Sequence, residues 1–158
     1  MSRSRNKIYA RTLKINIRRT RASASMSEQR ILSIVPRAFD PSDYERMVEI
    51  GNANFPDYPV SVAEQRSRDE AVEKSKIFHR RLTFTDSNTG TIVGFGTAGQ
   101  VIDMLHPTKF MINIIVQPEL HGRGIGTTVY DTILQQMQQM SATVLWTMTK
   151  EDLPRQTR

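Results

Sequence analysis

Three glycines fall within five residues at Gly122, Gly124 and Gly126, with Arg123 between the first two, in the stretch NIIVQPELHGRGIGTTVYDTILQQM from Asn113 to Met137. A β-branched apolar run stops at Pro118, a turn of bare backbone follows, and a pattern of helical period begins. Residues of these types in this order suit an anion. Glycines let a bulky ligand approach the main chain, and the free N–H groups of a helix's first turn face it with the positive end of the dipole. Arg123 adds a full positive charge in the same turn. A purely structural turn rarely wants three alternating glycines, because each costs backbone entropy. Phosphate or pyrophosphate is the expected ligand.

Two common phosphate sites fail on spacing. A P-loop needs Lys-Ser or Lys-Thr after its last glycine, and neither follows here. The dinucleotide fingerprint needs a glycine where Thr127 stands and an acidic residue about 20 positions on, where Trp146 stands. The absence of cysteine excludes disulfides, thiolate metal sites and cysteine nucleophiles. His79, His106 and His121 are too scattered for metal-ligand spacing, so no metal is expected.

The elements that must position the glycine turn follow from periodicity. RILSIVPRAF alternates as a strand containing Ile31, Ile34 and Val35. DPSDYERMVEIGNANF reads as a helix, with Asp40 as N-cap, Pro41 in the first turn and a core face of Tyr44, Met47, Val48 and Phe55. Ser61 and Glu64 form a capping-box pattern opening a second helix to about Ser75. That helix is so polar that a surface or cleft-covering position is expected. RRLTFT and TIVGFGTAG make a hairpin across DSNTG. An irregular connection over residues 100–109 leads to FMINIIV, apolar on both faces and hence a central strand. Ile125, Val129, Ile133, Met137 and Met140 repeat at helical spacing, and TVLWTMT is the last strand. The order β-α-α-β-β-β-α-β predicts an α/β (α+β) fold with helices packed on a mixed sheet.

The 158 residues suit one domain of ordinary size. Eight of the 22 basic residues lie in residues 1–27 with no acid among them; the remaining 14 face all 16 acids, so the body carries −2 of the overall +6. Residues 1–27 thus form a basic extension, expected to be disordered, ahead of a domain over 28–158. Its Arg-rich, acid-free composition fits organellar targeting, an upstream translation ahead of Met26, or, last, a nucleic-acid arm, since no aromatics interleave its charges. No apolar run approaches the ~20 residues that span a bilayer. A soluble, cytoplasmic protein without membrane contact is expected unless the extension is a targeting signal.

The strand INIIVQPE, then HGRGIG, then an amphipathic helix resembles the acetyl-CoA-binding motif of the GCN5-related N-acetyltransferases, Q/R-x-x-G-x-G/A. His121 stands at the Q/R position, followed by Gly124 and Gly126. VQPEL is similar to the end of that family's fourth strand, IVPRAFDPSDYERMVEI to its opening strand and helix, and TIVGFG to its third strand. The resemblance implies a pyrophosphate on the amides of His121, Gly122, Arg123, Gly124, Ile125, Gly126 and Thr127. It also implies a pantetheine arm paired with the splayed backbone of Ile114, Ile115 and Val116. Acetyl-CoA would be the co-substrate, and a small-molecule or peptide amine the acceptor.

The resemblance further implies direct attack of a neutral amine on the thioester, without an acyl-enzyme, helped by a base and an acid. No residue is assigned to either role. Asn113 takes the strand position where some relatives carry a glutamate; Glu119, Asp103 and His106 are loop residues. The four tyrosines, Tyr9, Tyr44, Tyr58 and Tyr130, fall outside the helix that carries the acid in many relatives. That helix and the last two strands of the family's fold are missing before Arg158, which would leave the final strand's edge open, for instance to a second copy in a homodimer. The alternative to an enzyme is a non-catalytic acyl-CoA-binding or interaction module of the same fold.

Overall fold

In a computed structural model, the structure describes residues 32–149 and the backbone of Tyr9–Arg11. The expected element order holds, with one strand added in front. β1 is Tyr9–Arg11, β2 Ile34–Ala38, β3 His79–Asp86, β4 Ile92–Gly99, β5 Lys109–Val116 and β6 Val144–Thr149. The helices are α1 Tyr44–Asn54, α2 Val62–Ser75 and α3 Ile125–Gln139. The sheet order is β1-β6-β5-β4-β3-β2. β2 to β5 pair antiparallel, and β6 joins β5 parallel, which requires the crossover that α3 supplies.

α3 covers one face. Its Ile125, Val129, Ile133 and Met137 are buried against Leu82, Phe84, Phe110, Ile112 and Val116. Met140, read from the sequence as part of this stripe, lies just past the helix end and is 36% exposed. The approach of α3 to the sheet is fixed by Gly96, where a Cβ would run into Ile133 Cδ1 and stand 2.8 Å from Val129 Cγ1.

α1 and α2 lie over the opposite face. A short 3-10 turn, Pro41–Asp43, precedes α1, and Asp40 and Asp43 cap it reciprocally. Asp43 is buried and accepts both Nη groups of Arg37 at 2.7 Å and the Thr83 hydroxyl at 3.0 Å. The Arg37 guanidinium holds the Asp43 carboxyl below its usual range. The buried face of α1 is Tyr44, Met47 and Ile50; Val48 and Phe55 are half-buried. α2 buries no residue, as its polarity foretold, and only half of the capping box forms: Ser61 Oγ accepts from Glu64 N at 3.1 Å.

The last strand departs from the sequence reading. Tyr9–Arg11 pairs antiparallel with Thr147–Thr149, so this stretch of β6, expected to be open for a second copy, has a partner from the same chain. The other residues of the basic extension, Ile31 at the start of the opening strand, and residues 150–158 lie outside the described residues. No described helix is long and apolar enough to cross a membrane, and no described group of His, Asp or Glu could hold a metal.

Candidate functional site

β5 and β6 start side by side and then separate. Their parallel register covers Lys109↔Val144, Phe110↔Leu145 and Met111↔Trp146, and no pair follows, although both strands continue. A cavity of about 600 Å³ fills the gap, lined mainly by apolar groups from β5, β6 and the start of α3. The backbone of β5 is arranged to use it. Gln117 N donates to Val93 O at 2.9 Å, in register with Phe95↔Ile115 and Thr97↔Asn113. Antiparallel alternation then aims residues 113 and 115 at β4, and turns the N–H and C=O of Ile114 and Val116 toward the cavity. An extended, amide-bearing ligand can add to such an edge as a strand would.

The glycine turn forms the cavity's other end. Gly122 and Gly124 have φ of 78° and 79°, the left-handed region that favours glycine. Gly124 is the N-cap of α3, no side chain caps the helix, and its first intrahelical bond is Thr128 N to Gly124 O at 3.1 Å. The amides of Ile125, Gly126 and Thr127 therefore have no intrahelical partner. Gly126 differs from its neighbours: its φ is not in the positive region, and a Cβ there would meet nothing within 4 Å. Neither backbone geometry nor packing within the chain asks for glycine there. In a helix glycine costs ~1 kcal/mol against alanine.

The Val116 carbonyl is held from two sides. Asn54 Nδ2 reaches it at 2.9 Å from the end of α1, and His121 Nε2 at 2.8 Å from the turn. A carbonyl only accepts, so Nε2 is the donor in this contact. α1 is anchored to the same strand ends by Arg46, which donates to Gln117 Oε1 at 2.6 Å and to Ile92 O at 3.3 Å. Among the described residues lining the cavity, the titratable side chains are His121 and Tyr130. Burial, with Asp131 nearby, pushes the Tyr130 phenol up, so at neutral pH it is an uncharged donor.

The structure brings Ile114, Ile115, Val116, His121, Gly122, Ile125 and Gly126 to the cavity wall. Arg123, Gly124 and Thr127 stand beside it, exposed in the same turn. Ile125 contributes through its backbone, since its side chain is buried in the core. Asp103, His106 and Glu119 do not line the cavity. The carboxylate of Glu119 is held down by its own backbone N–H and by Gln117, which weakens it further as a base. Sequence reasoning missed Asn54, Tyr130 and Trp146 at the wall. Asn54 carried no signal, because its partner lies 62 positions away. Tyr130 was legible: it sits four residues after Gly126, on the same helical face.

Comparison with known proteins agrees with this fold. A sequence model described as the acetyltransferase (GNAT) family matches residues 44–156. No curated protein matches the sequence. Among solved structures, an N-acetyltransferase of Staphylococcus aureus Mu50 is similar with a TM-score of 0.65 at 14% identity, over 79% of this chain and 78% of that one. An acetyltransferase of Salmonella typhimurium, solved with its cofactor acetyl-CoA, gives 0.62 at 16%, over 79% and 75%. A GNAT acetyltransferase of Brucella melitensis in complex with acetyl-CoA gives 0.58 at 17%, over 80% and 82%. What is shared at these identities is the fold.

Proposed function

This chain belongs to the acetyltransferase (GNAT) family, and on that premise we propose that it transfers the acetyl group of acetyl-CoA directly to a primary amine of a small molecule or peptide. The observation that carries the reading is Gly126, a helical glycine facing open space beside a cavity whose far wall is an open strand edge. A pyrophosphate on the uncapped first turn of α3 explains the glycine, and an amide-bearing arm explains the edge. Acetyl-CoA supplies both, together with an activated thioester.

In this reading, the amides from His121 to Thr127 hold the diphosphate and Arg123 adds charge at its solvent side. The edge of Ile114 and Val116 keeps the pantetheine in register. Asn54 and His121 fix the Val116 carbonyl, so the neighbouring N–H is presented at a constant angle. The amine nitrogen attacks the thioester carbonyl and forms the amide bond, the carbon–sulfur bond breaks, and coenzyme A leaves as a thiolate whose charge is balanced by the proton that the nitrogen gives up. Holding both reactants in line lowers the entropic part of the barrier in such a transfer.

One observation favours a second reading, an acyl-CoA-binding module without transfer: the described cavity wall has no carboxylate to take the amine's proton. The two separate in one experiment. The full chain is titrated with acetyl-CoA by calorimetry, and thiol release is then followed on adding primary amines. Binding with release supports the transferase, binding alone supports the module, and no binding overturns both.

A further inference from the structure

β6 changes partner halfway along its length. Val144, Leu145 and Trp146 pair with β5, while Thr147, Met148 and Thr149 pair with β1, and no residue of β6 pairs with both. The change falls where β5 and β6 part and the large cavity opens, with Thr147 and Met148 in its wall. β1 stands at the end of the strand order, and β6 is its one strand partner among the described residues.

The direction of the backbone groups makes the two pairings compatible. Val144 N donates to Thr108 O at 3.2 Å, so the even-numbered residues of β6 face β5 and the odd-numbered ones face outward. Thr147 and Thr149 therefore exchange bonds with Arg11 and Tyr9, and the N–H and C=O of Met148 stay turned toward the cavity. β1 can hold this half of β6 without filling the gap. Without β1, Thr147–Thr149 would have no strand partner on either side among the described residues. Left single, this half could continue the parallel ladder along β5, where Met148 O would take the Ile114 N–H that faces the gap. Paired with β1 it is a two-stranded ribbon, and such ribbons twist more strongly than strands inside a broad sheet.

We propose that β1 is a positioning strand for the gap: it carries the outer half of β6 away from β5, and ligand binding in the gap is coupled to the docking of residues 9–11. The inference rests on the reading of the gap as the seat of acetyl-CoA. A chain whose N-terminal strand has been drawn off β6, by cleavage or by capture, then binds acetyl-CoA weakly. Coupling of this kind is reciprocal, so bound acetyl-CoA also tightens β1 against β6. The N-terminal strand thus acts as a switch on a site built from residues more than a hundred positions away.

Two double variants of the full chain test this. Tyr9→Pro with Arg11→Pro removes the two N–H groups that β1 gives to β6. Tyr9→Ala with Arg11→Ala removes the same side chains and keeps both N–H groups. Calorimetry should show acetyl-CoA bound about ten-fold more weakly by the proline pair, and within about two-fold of the unchanged chain by the alanine pair. Circular dichroism checks that both are folded. Hydrogen exchange gives an independent reading in the unchanged chain, where acetyl-CoA should slow the Thr147 and Thr149 amides. Equal affinity of the proline pair and the unchanged chain overturns the proposal. So does an alanine pair as weak as the proline pair, or exchange at Thr147 and Thr149 indifferent to acetyl-CoA. If the unchanged chain binds no acetyl-CoA, the transferase reading falls by itself and β1 is judged by the Ile114 amide. Slower exchange there in the proline pair, as the gap closes, keeps β1 as its support, and equal exchange overturns it.

Discussion

At the scale of single residues, Gly126 offers the sharper test of the diphosphate site and Gly124 the poorer one. Any side chain at Gly124 must adopt φ of 79°, so lost binding in Gly124→Val would mix ligand blocking with backbone strain. Gly126 has room and an ordinary conformation. In Gly126→Asp, the helix gains an acid in its first turn, worth about 0.3–1 kcal/mol, and loses a helical glycine. The same carboxylate faces the incoming diphosphate. Calorimetry should show acetyl-CoA binding at least about 30-fold weaker, roughly 2 kcal/mol, while the melting temperature holds or rises. A parallel fall in both would mean the glycine serves the fold.

Asp43 gives a residue-scale expectation in pH. Its carboxyl sits below the ordinary value of 3.8 in the folded chain, held there first by Arg37. A depressed folded pKa adds stability that is complete above the unfolded value and is lost as pH falls through the folded one. Stability should therefore decline below about pH 3.8, and Asp43→Asn, lacking that carboxylate, should show a shallower decline. Urea unfolding between pH 2 and 5 reads the difference. The glycine turn was legible in sequence because φ and close approach are written in residue type. The Arg81–Asp69 pair was not, because 12 positions and a change of element separate its members.

At the scale of elements, α2 is the weak point. It buries no residue, so hydrophobic burial holds it poorly. What docks it is Asp69, which joins Tyr44 of α1 and Arg81 of β3. Burial pushes the Asp69 carboxyl up, but the bonds from Arg81, Tyr44 and Gln65 outweigh it and the net direction is down. Asp69→Ala leaves a mostly buried guanidinium without its partner, and should cost about 3 kcal/mol. Chemical denaturation measures the cost, and limited proteolysis should cut first within 62–75. The packing of α3 is tested separately by Gly96→Ala. The added methyl must displace Val129 and Ile133 and should cost about 1–3 kcal/mol by overpacking. The stripe Ile125, Val129, Ile133 and Met137 was readable from spacing alone. The end of α3 was not: the chain turns through Ser141 at φ of 58°, leaving Met140 partly exposed.

For the whole molecule, the strand order puts β2 at one edge and the short β1 outside β6 at the other, and the two ends are built differently. β2 is short and carries Pro36 and Arg37, features that discourage a further strand. β6 is apolar, and its outer edge over Thr147–Thr149 is covered by Tyr9–Arg11. The sequence hid this contact because the pairing partner lies in a segment whose composition reads as a tail. A chain beginning at Met26 lacks that strand and exposes the edge of β6, which also borders the large cavity through Thr147 and Met148. Such an edge is a template for another strand. Sedimentation velocity should therefore show 26–158 self-associating at concentrations where 1–158 does not. Ala10→Pro in the full chain removes the N–H of the residue paired with Met148 and should move it toward the short chain's behaviour. If 1–158, Ala10→Pro and 26–158 sediment alike, the edge of β6 does not depend on the N-terminal strand.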